Sequence, residues 1–136
     1  MKILLASHGR LASGMKTSLE ILIGSDAEKV TVIDAYIDNV NIDTELENYF
    51  KSINESDQVL MLSDLYGGSV NQKMYLYLER KNTFLVAGVN LAFVLEVCML
   101  DEITIDVLNK LIEQSRQMER IVMFDKSEIA EDEDFL

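Results

Sequence analysis

Short apolar runs alternate with stretches in which apolar side chains recur every three or four positions, and this alternation sets the predicted order of elements. Lys2 to Ala6 reads as a buried strand. Leu11, Met15, Leu19 and Leu22 then keep helical spacing, predicting a helix over 10–23 with Gly24 as its C′ residue. Lys29 to Asp34 is the second predicted strand. Thr44 and Glu47 match a capping box opening a helix that buries Leu46, Tyr49, Phe50 and Ile53. Gln58 to Ser63 is a third strand, almost wholly apolar, as a strand covered on both faces should be. Ser69 is expected to cap a helix carrying Val70, Met74, Tyr77 and Leu78 on one side. Thr83 to Ala87 gives the fourth strand, and Asn90 begins an apolar helix to about Leu100. Thr104 opens an amphipathic helix with Ile105, Leu108, Leu111, Ile112 and Ser115, and Ile121 to Phe124 is a candidate fifth strand.

Such alternation predicts an α/β fold: a doubly wound three-layer sandwich, with a parallel sheet between helices and right-handed crossovers. In the common strand order 2-1-3-4, strands one and three are neighbours and the winding reverses between them. Ligands and reactive groups gather there, at the carboxyl ends. His8 stands at the end of strand one and Asp64 at the end of strand three, so this order would bring them together. No repeat, linker or low-complexity block divides residues 1–125; residues 126–136, with Glu131-Asp132-Glu133-Asp134, read as an acidic, solvated tail.

Composition narrows the function classes. The 136 residues suit one domain, and 49% apolar residues suit a folded globule. A formal charge of −12 and the lack of any basic stripe argue against nucleic acid. The acidity fits small molecules or basic partner surfaces, or simply solubility. No apolar run approaches the ~20 residues of a membrane span. Ser7-His8-Gly9 interrupts the first apolar run without a cleavage site after it, so no signal peptide is expected. The lone Cys98 lies in an apolar stretch and reads as a buried structural thiol, which fits a reducing cytoplasm. The methionines fall within the periodic patterns and read as core filler.

His8 is the only histidine, and histidine is the side chain whose ordinary pKa lies near neutrality. It either caps and packs, or carries proton or phosphoryl chemistry. A carboxylate such as Asp64 can accept the hydrogen of one ring nitrogen and leave the other as a nucleophile. Beyond Asp64, Gly67 and Gly68 allow close backbone approach and lead to the hydroxyl of Ser69, while Gly9 leads into the first helix. Two helix N-termini and a hydroxyl can hold phosphoryl oxygens without a metal. The string is equally that of a tight strand–helix turn. A receiver domain would need an acidic pair where Ser7-His8 stands. No Gly-Lys-Ser/Thr string marks a P-loop, and Gly9 and Gly14 have the wrong spacing for a dinucleotide fingerprint. One His and one distant Cys do not make a zinc site. A hydrolase triad of His8, Asp64 and one of Ser7, Ser13 or Ser69 remains a remote alternative, lacking the Gly-x-Ser-x-Gly elbow.

Four strings in register carry a resemblance: Ser7-His8-Gly9, Leu22-Ile23-Gly24, Ser63-Asp64-Leu65-Tyr66-Gly67-Gly68-Ser69, and Ala87-Gly88-Val89-Asn90. Over nearly its whole length the chain resembles the enzyme IIA domain of the mannose family of the bacterial phosphoenolpyruvate-dependent sugar phosphotransferase system. The resemblance implies a cytoplasmic phosphocarrier, peripherally associated with a membrane permease complex and needing no cofactor or metal. His8 would be phosphorylated on Nε2 by the phosphocarrier protein HPr and would pass the group to enzyme IIB, with the membrane components IIC and IID as indirect partners. Asp64 would orient His8 through Nδ1, and Gly9, Gly67, Gly68 and Ser69 would surround the phosphoryl group. It also implies a homodimer with an exchanged C-terminal strand, which would give Ile121 to Phe124 a partner. Val70 departs from the family, which often has proline there; the turn loses a preset φ but stays compatible with a helix. Arg10 reads as solvent-facing rather than a phosphate clamp, and Tyr66 as either a docking or a rim residue. Two related roles stay open: the phosphotransfer subunit of a dihydroxyacetone kinase, and a regulatory domain whose phosphorylation state another protein reads.

Overall fold

A computed structural model describes residues 1–127 and is the structure discussed throughout. Its elements are β1 (Lys2–His8), α1 (Leu11–Ile23), a 3-10 helix (Gly24–Lys29), β2 (Val30–Ala35), α2 (Ile42–Ser52) and β3 (Val59–Ser63). There follow α3 (Ser69–Tyr75) with a 3-10 extension (Leu76–Glu79), β4 (Thr83–Ala87), α4 (Leu91–Cys98) and α5 (Ile105–Arg116). All strand pairs are parallel, in the order β2-β1-β3-β4. This is the three-layer α/β sandwich the alternation predicts.

Both faces of the sheet are covered, which is why the central strands read as unbroken apolar runs. From β1, Ile3 and Leu5 join Leu19 of α1, Phe93 and Val97 of α4 and Leu108 of α5 on one face. Leu4 and Ala6, pointing the other way, meet Leu46 of α2 and Val70 and Met74 of α3. The amino-terminal rim of the sheet is tied by Arg80, whose guanidinium donates to the carbonyls of Asn54, Asp57 and Lys81 and to the Thr83 hydroxyl. It also lies over the Phe50 ring, 5.9 Å from its centroid.

Several local expectations are corrected. α2 starts before Thr44, because the Asn41 side chain accepts the Asp43 N–H and caps the helix from a better position. Thr44 therefore lies inside the first turn. Ser69 does not cap α3: Gly68 occupies that position without a side-chain bond, and Ser69 is the first helical residue. The buried stripe of α1 runs through Ala12, Met15, Leu19 and Ile23, one position on from Leu11 and Leu22, which are both exposed. Leu78 falls on the 3-10 extension, whose tighter turn carries it away from the core stripe of Val70 and Met74, and it is exposed. Ile105, at the start of α5, is exposed as well. Asn90 and Thr104 do cap their helices, accepting from Phe93 N–H and Val107 N–H.

Ile121 to Phe124 form no strand within this chain and are 76–89% exposed. β4 ends the sheet, and its five residues are only half-buried. The acidic tail expected over 126–136 lies, from residue 128 on, outside the described residues. Cys98 is fully buried, and burial pushes its thiol up to about 11, partly opposed by Lys29. Among the described residues, no helix is long and apolar enough to cross a membrane.

Candidate functional site

Register alone brings the two junctions together. Ala6 pairs with Ser63 and His8 with Ala35, so the carboxyl ends of β1, β2 and β3 share one rim. Asp64, the first residue past β3, faces His8 across that rim. Its Oδ2 accepts the His8 backbone N–H at 2.8 Å and lies 2.8 Å from Nδ1 of the ring, while Oδ1 accepts the Leu65 N–H at 2.9 Å. Burial by itself would raise the Asp64 pKa, but the His8 backbone and ring bonds, the His8 charge and the Leu65 amide outweigh it and hold the carboxyl below its ordinary value. The Asp64 side chain is 9% exposed and that of His8 42% exposed. The carboxylate is mostly covered and the imidazole is open to solvent.

With Asp64 ionised, the neutral imidazole carries its proton on Nδ1 and leaves a lone pair on Nε2. Ser69 Oγ lies 3.3 Å from Nε2. The approach depends on Gly68, where a Cβ would sit 3.2 Å from Leu65 Cβ and 3.6 Å from His8 Cε1. Gly67, at φ +74°, makes the preceding turn in a conformation that L side chains rarely adopt.

The three glycines expected around a phosphoryl group have their amides engaged within the protein. Gly9 N–H donates to Ala35 O, Gly67 N–H to Asn71 Oδ1 and Gly68 N–H to Leu65 O. Two amides of α1's first turn are taken likewise: Ala12 N–H by Ser7 Oγ, and Ser13 N–H by Asp34 Oδ1. What faces Nε2 is the Ser69 hydroxyl. The first α3 bond runs from Gln72 N–H to Gly68 O, so the amides of Ser69, Val70 and Asn71 precede the helical ladder.

Two residues of this rim escaped the sequence reading. Asp34 binds the Ser13 amide at 3.0 Å and the Ser13 hydroxyl at 2.6 Å, fixing the start of α1 against β2. Tyr36 places its phenol oxygen 2.8 Å from Ser69 Oγ and its ring centroid 5.4 Å from that of His8. Its φ is +68°, a left-handed conformation that costs a bulky L residue on the order of 1–2 kcal/mol. The available clue was topological: β2 flanks β1, so residues just past β2 reach the same rim. Arg10 is exposed and caps nothing with its side chain, and Tyr66 is 91% exposed. Among the described residues, no group of three or more His, Cys, Asp or Glu is placed to hold a metal.

Residues 2–115 match the family described as the PTS system fructose IIA component. No curated protein matches the chain in sequence. Among solved structures, the mannose/sorbose-specific IIA subunit of the phosphotransferase system from Enterococcus faecalis is 23% identical, with a TM-score of 0.77 over 92% of this chain and 96% of that one. The PTS IIA protein associated with the fucose utilization operon from Streptococcus pneumoniae is 27% identical, with a TM-score of 0.68 over 95% of each chain. A sigma-54 interaction domain protein from Enterococcus faecalis shares the fold at 18% identity and a TM-score of 0.64, covering 87% of this chain and 92% of that one.

Proposed function

The chain belongs to the family of phosphotransferase-system fructose IIA components, and from that premise we propose that it is a phosphohistidine carrier: His8 Nε2 accepts a phosphoryl group from HPr and yields it to an enzyme IIB. The observation that carries this reading is the Asp64–His8 contact, 2.8 Å at Nδ1, with the imidazole side chain 42% exposed. Membership supports a part in sugar uptake by phosphoryl transfer; donor, acceptor and the acid–base details are ours.

In the forward step the Nε2 lone pair attacks phosphorus in line with the donor's P–N bond. That bond breaks as the new one forms, and its electron pair returns to the donor imidazole. Asp64 keeps the Nδ1 proton in place and offsets the positive charge that develops on the ring. Ser69 Oγ and the first-turn amides of α3 stand ready for the phosphoryl oxygens. Gly9 and Gly67 act through the positive φ they permit, and Gly68 through the room its missing Cβ leaves beside Leu65. No metal or cofactor takes part. Exposed Leu11, Leu65 and Tyr66 rim the site and supply apolar surface for docking of a partner protein. The domain then works in the cytoplasm, beside the IIC and IID components.

Residues 1–125 act as the carrier unit, and we assign Ile121 to Phe124 to a second copy, added along the open edge of β4. Their exposure and the half-buried edge support this exchange. So does a groove of ≈ 730 Å³ beside β4, lined by Tyr75, Leu78, Leu85 and Ile112 among others.

One contact favours a second reading. Ser69, His8 and Asp64 line up as a hydrolase triad would, with Ser69 Oγ 3.3 Å from Nε2. Yet Ser69 opens an ordinary helix rather than a strained elbow, and the Tyr36 hydroxyl already engages its Oγ. Incubation with phosphoenolpyruvate, enzyme I and HPr decides. The carrier reading expects acid-labile phosphate on His8 by peptide mapping, absent in His8→Ala. An unmodified protein, or Ser69 labelled by a fluorophosphonate, would favour hydrolysis.

A further inference from the structure

The last residues of β2 and the one after it each hold a different part of the rim. Asp34 fixes the start of α1, Ala35 O receives the Gly9 amide, and Tyr36 turns back toward His8. Only the third of these pays in backbone strain, since φ at Tyr36 is +68°. Glycine or asparagine would make the same turn without that penalty. Nor is the tyrosine kept there for burial, because it is 57% exposed. Strain of this kind persists where the side chain has work at a site.

Proton accounting shows what that work is. In the neutral form of His8, the form that can attack, Nδ1 donates to Asp64, so Nε2 is an acceptor and the Ser69 O–H points at it. The Ser69 oxygen then has only lone pairs left for the phenol, so Tyr36 O–H is the donor at 2.8 Å. The chain runs in one direction, from Tyr36 through Ser69 to His8, and ends on Asp64. We propose that Tyr36 is a positioning residue for phosphoryl transfer: its hydroxyl aims the Ser69 hydroxyl at Nε2, and at the phosphoryl group once that occupies Nε2. This rests on the carrier reading above and adds to it a residue just past β2. Because Tyr36 acts through Ser69, its effect must vanish when Ser69 has no hydroxyl.

Tyr36→Phe keeps the ring and the backbone strain and deletes only the donor. With phosphoenolpyruvate, enzyme I and HPr as the phosphoryl source, uptake should slow about three- to tenfold and the phosphohistidine should hydrolyse faster, at unchanged melting temperature. In a Ser69→Ala background the same change should have no further effect. Tyr36→Gly relieves the strain, so it should hold or raise the melting temperature while losing at least as much uptake as Tyr36→Phe. A fall in melting temperature that accounts for the lost uptake would make Tyr36 a residue of the fold alone. Wild-type uptake and hydrolysis in Tyr36→Phe, or full additivity with Ser69→Ala, would overturn the proposal while leaving the carrier reading intact. If the wild-type protein takes up no phosphate, the carrier reading fails, and the hydrogen-bond chain is still read from the His8 ¹⁵Nε2 resonance of the unloaded protein. That resonance should move in Tyr36→Phe; an unmoved one overturns the chain.

Discussion

Both oxygens of the Asp64 carboxylate are occupied, Oδ2 by the amide and ring of His8 and Oδ1 by the Leu65 amide. One oxygen thus grips the same residue by backbone and side chain, which fixes the ring's position as well as its tautomer. Asp64→Ala should slow phosphoryl uptake about 10- to 100-fold without unfolding the domain, as loss of an orienting partner does elsewhere. Asp64→Asn should also be slow: an uncharged amide has one acceptor oxygen for the three donors that now share the carboxylate, and it no longer offsets the charge that develops on the ring. Rapid-quench uptake rates check both, and unchanged rates would remove the orienting role. The lowered Asp64 pKa also fixes a pH dependence. Its contribution to stability is full above the ordinary value of 3.8 and is lost as pH falls through the lower folded value. The acid-side fall in melting temperature should therefore be shallower in Asp64→Asn than in wild type. At this scale the sequence made His8 and Asp64 legible, because each stands one serine past an apolar run. Tyr36 was illegible: a tyrosine after a strand carries no mark of its φ or of where its phenol points.

Strands were the most readable elements, since burial on both faces leaves uninterrupted apolar runs with polar residues at their ends. The bounds of β1, β2 and β3 moved by one or two residues and those of β4 not at all, with β1 continuing through His8 to pair with Ala35. Helices were harder. On α1 the two candidate stripes differ by one position, and Ala12, the residue that packs, is less conspicuous than Leu11, which does not. On α2 the Thr44–Glu47 spacing imitated a capping box inside a helix that Asn41 had already begun. Asn90 illustrates a cap that the sequence did mark, and it does more than cap: its Oδ1 accepts the Phe93 amide while its Nδ2 donates to Ser115 O at the end of α5. Asn90→Ala should therefore cost about 1–2 kcal/mol, seen as a lower urea midpoint at constant m-value. A loss within error would mean that water replaces both bonds.

The molecule as a whole divides into a rim that carries His8 and Asp64, where β1, β2 and β3 end, and an opposite rim, where Arg80 binds the segments leading into β3 and β4. The open β4 edge runs between them. If a second copy supplies Ile121 to Phe124 to that edge, then sedimentation should report a dimer for the wild type. Val122→Asp with Phe124→Asp should give a monomer; a monomeric wild type would remove strand exchange. The fold class was legible because it follows from alternation and handedness; the strand order was expected only as the common one for such a fold, and it is the order found. A place for Ile121 to Phe124 was not legible, since four apolar residues do not say which edge they would join.

The Arg80 junction also has a practical consequence. Five strand residues separate it from the histidine end, roughly 17 Å at the usual rise, and the intervening sheet is clamped at both faces. Glu55 and Ser56, exposed beside the guanidinium, are thus natural points for a dye or a surface tether. A domain immobilised there would present its His8 rim outward, in one orientation, to whatever protein is flowed across it.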